Sequence, residues 1–123
     1  MIIKRLEPYL LVSAGGFAGA CSRYVVSGLI PDMPGILIVN LLGCFLLGFL
    51  MYESIYIGAF SQHTRMVYGV GFIGAFTTFS TFSYQTYIAS PLAAFINVML
   101  NVGLGILCVF AGRSVAIRLS GLR

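Results

Sequence analysis

Between Gly71 and Gln85 the chain reads GFIGAFTTFSTFSYQ, and Thr77, Thr78, Ser80, Thr81 and Ser83 crowd hydroxyl groups into residues 77–83. On a helix these side chains would cover every face of about two turns, more than hydrogen-bond glue between helices requires. Phe79 and Phe82 stand at spacing i, i+3 among them, on one helical face. A phenyl ring is electron-rich on its face and electropositive at its edge, so ring edges can meet an anion without the deep well of a fixed lysine. Conduction needs that balance, because an ion must bind well enough to enter and weakly enough to leave. On pattern alone, two phenylalanines at this spacing are more often packing residues. Gly71 and Gly74 lower helix propensity by about 1 kcal/mol each relative to Ala, so a break is expected within this segment. A break frees backbone groups. Freed carbonyls suit a hard monovalent cation, whereas hydroxyls and amides suit an anion.

Three further neutral polar residues, Asn40, Asn97 and Asn101, fall in apolar surroundings. Asn40 lies about five residues into its span, roughly 7 Å along a helix axis. Each must find a hydrogen-bond partner or line a wet cavity. The acids are placed differently: Glu7 precedes the first span, Asp32 lies in a loop, and Glu53 is close to the end of the second span. With no carboxylate at a membrane centre, proton-coupled export has no carrier. His63 reads as a solvated loop residue without partner ligands. Gly69, Gly71 and Gly74 match the spacing G-x-G-x-x-G, but no strand precedes them and no acid follows at the required distance. Cys21, Cys44 and Cys108 all sit in apolar segments and read as small apolar filler rather than a disulfide framework.

The elements that must position these groups are membrane helices. Hydrophobic residues make up 59% of the 123 and charged residues 8%, and the mean hydropathy of +1.01 is far above that of soluble domains. One domain, residues 1–123, is expected: an all-α integral membrane protein with four transmembrane helices at about 9–30, 35–57, 65–88 and 92–117, the third broken. Each is near the roughly 20 residues needed to cross a bilayer. Turn chemistry separates them at Pro31–Gly35, Ser61–His63 and Ser90-Pro91, and such short connections make neighbouring helices antiparallel. Without period-2 alternation a β-barrel is excluded. Lys4 and Arg5 before an apolar run, with Ala18 to Cys21 beyond, resemble a secretory leader, but the run is too long and three more spans follow, so no cleavage is expected. Gly15 and Gly19 form a small-xxx-small pair suited to close helix packing. Lys4, Arg5, Arg65, Arg113, Arg118 and Arg123 gather on one side, against Arg23 and Asp32 on the other, which puts both termini in the cytoplasm. The net charge of +4 is thus read against lipid headgroups; no basic run is long enough for nucleic acid.

Along nearly its whole length the chain resembles the Fluc (CrcB) fluoride channels of microbes. The resemblance rests on Gly15-Gly16, Gly19-Ala20 and Arg23-Tyr24 in span one, Asn40-Leu41 with Gly43 in span two, and Gly71-Phe72, Gly74 and Thr77 to Ser83 in span three. It implies a channel and not an enzyme, located in the cell (plasma or inner) membrane and built as an antiparallel dimer with two pores. It further implies passive export of cytoplasmic fluoride along the edges of Phe79 and Phe82, with the Asn40 amide nearby. Candidate polar lining is Thr78, Ser80, Thr81, Gln85 and Asn101. A structural Na+ between the subunits would be held by the backbone carbonyls of Gly74 and Thr77, and Arg23 would stand at a vestibule mouth. The chain departs from the family pattern in three places. Gln85 replaces a frequent glutamate, Gly105 and Val109 stand where span four usually offers hydroxyls, and the Lys/Arg bias is strong for a chain that inserts both ways. A homodimer is the favoured expectation. The alternative is a heterodimer with an oppositely oriented relative, this chain serving as a non-conducting structural partner subunit.

Overall fold

The structure, a computed structural model, describes residues 2–121, with side chains from Leu6 onward. It is all-helical, with no strand among the described residues. Helix α1 is Ile2–Leu29, α2 is Asp32–Ile57, α3 covers residues 62–76, α4 is Phe79–Ile88 and α5 is Pro91–Ser120. Three stretches are long and apolar enough to cross a membrane: α2 with 26 residues, α3 with α4 over 27, and α5 with 30. The chain is a multi-pass membrane protein. Helix α1 has 28 residues but is diluted by Ser13, Gly15, Gly16, Gly19, Ser22 and Arg23 and is not one of the three.

Helical hydrogen bonding outlasts the apolar runs. Helix α1 begins before the expected residue 9 and contains Pro8, while α2 starts at Asp32 and α5 continues to Ser120. The turns have ordinary causes. Ser61 and Ser90 each accept a hydrogen bond from a backbone N–H three residues on, at Thr64 and Ala93, and Pro91 opens α5 where its missing N–H costs nothing. Gly58 ends α2 in the left-handed region at φ 68°, where glycine has no Cβ to clash. Glu53–Ile57, Arg65–Ile73 and Leu100–Leu104 are wound as π-helix, each carrying an extra residue within its turns.

Glycines set how closely the helices approach. Helix α1 packs on α3 so tightly that a methyl group on Gly15 would collide with the Val67 carbonyl, and one on Gly19 with that of Phe72. Gly71 faces back across the same seam, its missing Cβ 2.6 Å from the Val12 carbonyl oxygen. Helix α2 meets α5 in the same way, Gly48 against the Val109 carbonyl and Gly112 against that of Phe45. This corrects one expectation. Gly71 serves packing rather than the break, which falls three residues beyond Gly74, at Thr77 and Thr78. Gly74 itself has open space around it.

The fully enclosed interior is small, with Val39 and Ala116 at its centre, and large apolar side chains cover the outside as lipid requires. Glu53 stands close to the end of α2, as expected, but is enclosed there: only 1% of it is exposed. His63 is exposed but not merely solvated, since its Nε2 lies 3.2 Å from the Glu7 carboxylate. At the far end of α5 the Arg113 guanidinium sits 5.9 Å over the Tyr52 ring, a pairing suited to a membrane–water boundary.

Replacing Gly48 or Gly112 with Val should destabilise the protein by about 1–3 kcal/mol or more, because backbone stands where the side chain must go. Thermal unfolding in detergent would register this as a lower midpoint, whereas Gly28→Ala, with nothing within 4 Å of its Cβ position, should leave it unchanged.

Candidate functional site

At the end of α3 the chain leaves the helical conformation. Thr77 (ψ 160°) and Thr78 (φ −145°, ψ 122°) are extended before α4 begins at Phe79. Thr77 still closes the preceding turn, its N–H and its Oγ1 both donating to the Ile73 carbonyl at 3.1 and 3.0 Å. Thr78 does not. Its N–H, which in a continuous helix would reach the Gly74 carbonyl, donates instead to Asn40 Oδ1 at 2.9 Å. Asn40 Nδ2 returns a hydrogen bond to the Thr78 carbonyl at 3.2 Å. One side-chain amide from α2 thus pairs with both polar groups of one backbone residue, in the manner of a neighbouring strand. The Gly74 carbonyl is left without that helical donor.

The break also caps α4. Thr78 Oγ1 accepts from the Thr81 N–H at 3.2 Å and donates to Thr81 Oγ1 at 3.1 Å, with Ser80 Oγ at 3.3 Å. The Thr81 hydroxyl hydrogen therefore remains available to an anion. Gly43 lets α2 lie against this turn, since a methyl group there would collide with Thr77 Cγ2. From α1, Arg23 Nη1 donates to the Thr77 carbonyl at 3.0 Å. The guanidinium thus reaches into the break and places a positive charge beside it.

A cavity of about 310 Å³ opens on this turn, and Asn40, Thr77, Thr78, Phe79, Phe82 and Asn101 contribute to its wall. The two rings are 5.8 Å apart with planes tilted by 50°, so they present edges as well as faces. Phe79 is 79% exposed, its ring left largely uncovered by the described residues. Ser80, Thr81 and Gln85 do not line the cavity. The buried Oε1 of Gln85 finds no hydrogen-bond partner among the described residues.

Asn101 joins the site through the Asn40 Nδ2 donor, which reaches its Oδ1 at 3.0 Å. The rest of α5 explains the missing hydroxyls of span four. Gly105 is buried with Cys44 Sγ 3.4 Å from its Cβ position, and the Val109 backbone is pressed against Gly48, so both positions are spent on the seam with α2. The sequence reading missed Thr86 as a site residue and left Asn97 outside the site. Asn97 Nδ2 donates to Thr86 Oγ1 at 2.9 Å, and Asn101 Nδ2 to Asn97 Oδ1 at 3.0 Å. The signal was present, since Asn97 and Asn101 at spacing i, i+4 share one helix face. Among the described residues no three His, Cys, Asp or Glu side chains gather as a metal site. The hard donors at the break are backbone carbonyls.

Comparison with known proteins gives the family of the chain. The family model described as CrcB-like protein, Camphor Resistance (CrcB), matches residues 10–113. The chain is 47% identical to the fluoride-specific ion channel FluC 1 of Methanospirillum hungatei JF-1, over 88% of this chain and 77% of that one. It is 42% identical to FluC 2 of Methanosarcina barkeri strain Fusaro, over 96% and 94% of the two chains. With the FluC protein of Methanocaldococcus jannaschii it shares 41% identity, over 91% and 96%. On a match across most of its length, with the helix break and its asparagine clamp inside the matched region, this chain belongs to the CrcB family.

Proposed function

We propose that the chain is one subunit of a fluoride-selective channel that lets cytoplasmic fluoride leave the cell passively. The observation that carries this reading is the wall of the cavity, where Phe79 and Phe82 stand beside the Asn40 clamp at a break in a membrane-crossing helix. Ring edges offer weak positive potential, and the break adds N–H and hydroxyl donors without a fixed charge in the path. Arg23 supplies a positive charge one residue away, on the far side of the Thr77 carbonyl. Such a charge raises the local anion concentration while remaining neutralised in part by the carbonyl it contacts. Thr81 has a hydroxyl hydrogen to give, and Ser80 and Gln85 extend the polar side of α4. The relatives named as fluoride-specific channels support fluoride as the ion.

In this reading α1 is the fourth transmembrane helix, and two subunits pack antiparallel in the cell membrane. The uncovered ring of Phe79 and the open side of the cavity favour a second subunit as the missing wall. The second subunit is another copy of this chain. A structural Na+ between the two subunits fits the donor set: Gly74 offers a carbonyl relieved of its helical partner on an open surface, and Thr77 offers a second. Neutral backbone oxygens are the donors a hard monovalent cation takes. Thr77 would share its oxygen between that ion and Arg23.

Purified chain, expressed alone and reconstituted into liposomes, should release fluoride far faster than chloride when an ion-selective electrode follows efflux. Equal passage of the two anions would refute the channel assignment, and efflux only after addition of an oppositely oriented relative would refute the homodimer. Phe79→Ile and Phe82→Ile should each reduce fluoride efflux by about tenfold or more, with dimers intact by gel filtration, since an aliphatic side chain has no electropositive edge. Wild-type efflux in both variants would return the rings to packing. Replacing Na+ by N-methylglucamine on both sides should slow efflux, and an unchanged rate would argue against the structural cation.

A further inference from the structure

The hydrogen bonds that hold Asn40 do not end at Asn101. Asn101 Nδ2 donates to both the backbone and the side-chain oxygen of Asn97, each at 3.0 Å. Asn97, only 6% exposed, donates through Nδ2 to Thr86 Oγ1 at 2.9 Å. Thr86 Oγ1 in turn donates to the Phe82 carbonyl at 2.8 Å. The chain of bonds therefore begins at the backbone of one ring residue and ends at Thr78, the residue before the other ring.

A primary amide is nearly symmetric in shape, and only its partners decide which end donates. Here both ends of the chain are of fixed type, and so is one point within it, because the Asn97 backbone carbonyl can only accept and takes the NH2 of Asn101. The Phe82 carbonyl can only accept, so the Thr86 hydroxyl must spend its one hydrogen there and present a lone pair to Asn97. That turns the NH2 of Asn97 toward Thr86 and its oxygen toward Asn101, and the same choice passes from Asn101 to Asn40. At the other end the Thr78 N–H can only donate, and it meets the oxygen of Asn40 as this polarity demands. Both hydrogens of Asn40 Nδ2 and both of Asn101 Nδ2 are committed.

We infer that Thr86 and Asn97 are positioning residues for the cavity: the Thr86 hydroxyl orients the Asn97 amide, and Asn97, through its side-chain and backbone oxygens, sets the direction of a relay that fixes the Asn40 amide against the break. The hydrogen-bond relay stands on the geometry alone, and its effect on ion flux rests on the channel reading above. Without the hydroxyl, the Asn97 amide loses the partner that orients it. A reversed chain would set the NH2 of Asn40 against the Thr78 N–H, donor facing donor, and the turn that carries Phe79 would lose its clamp.

The test replaces Thr86 by Val, which keeps the shape, and by Ser, which keeps the hydroxyl. Fluoride efflux from liposomes should fall about tenfold in Thr86→Val, the scale of one well-placed hydrogen bond, and return to within about twofold of wild type in Thr86→Ser. The fluoride-over-chloride preference should fall with it, while the gel-filtration profile stays that of wild type. Wild-type flux and selectivity in Thr86→Val, or equal impairment in Val and Ser, would overturn the functional role. The relay is read separately by NMR on micellar protein labelled at asparagine nitrogen. The Asn40 side-chain amide hydrogens should exchange slowly in wild type and fast in Thr86→Val. Unchanged exchange would overturn the relay itself, and a wild type that fails to pass fluoride would fault the channel reading alone.

Discussion

A polypeptide in hydrocarbon has no water to satisfy its backbone, and a helix broken there must find other partners for every freed N–H and C=O. The pairing of the Asn40 side chain with the N–H and carbonyl of Thr78 answers that constraint, and the site depends on it. It lets α3 stop and α4 start with a new direction inside one apolar span. It also spares the Gly74 carbonyl its helical partner and leaves the start of α4 with uncommitted donors. Polarity at mid-span is thereby concentrated on one turn, while its surroundings stay apolar. Arg23 closes the account by taking up the Thr77 carbonyl from the α1 side.

Such a clamp works only if α2 and the break are held at hydrogen-bond distance, and the glycines provide that. Gly43 admits the Thr77 methyl, Gly48 and Gly112 seat α2 on α5, and Gly15, Gly19 and Gly71 seat α1 on α3. Without a hydrophobic driving force between helices in lipid, contact of this kind is the main source of association. The two seams leave the cavity between them. They also explain why α5 presents asparagines to the site and not hydroxyls: Gly105 and Val109 are used against α2, whereas Asn101 and Asn97 lie about one and two turns before Gly105.

Much of this was legible in the residues. Apolar runs bounded by Pro31, Ser61 and Ser90-Pro91 gave the helices, because lipid makes hydropathy a strong constraint. The hydroxyl cluster at 77–83 and the neutral asparagines marked the polar turn, since such groups are costly in hydrocarbon without a purpose. Other features depended on register between helices and were not legible. The break falls at Thr77 and Thr78 and not at the glycines, because Gly71 is claimed by α1. Arg23, read as a vestibule residue, reaches the Thr77 carbonyl only because Gly19 brings α1 that close. The burial of Glu53 in a π-wound turn, and the link from Asn97 to Thr86 across the turn at Ala89 and Ser90, likewise depend on how neighbouring helices are set against each other.

Those π-wound turns have a consequence for how the chain tolerates change in length. Each holds one residue more than an α-helix would use, and the stretch Arg65–Ile73 lies just before the break. Removing a residue there is absorbed by a return to ordinary winding, which keeps the side chains beyond it close to their present direction. Removing one from an α-wound turn would instead swing everything beyond it by about 100° about the axis. Phe79 and Phe82 would stay beside Asn40 in the first case and turn away in the second, so the π-wound stretches are the slack in helices that otherwise have none.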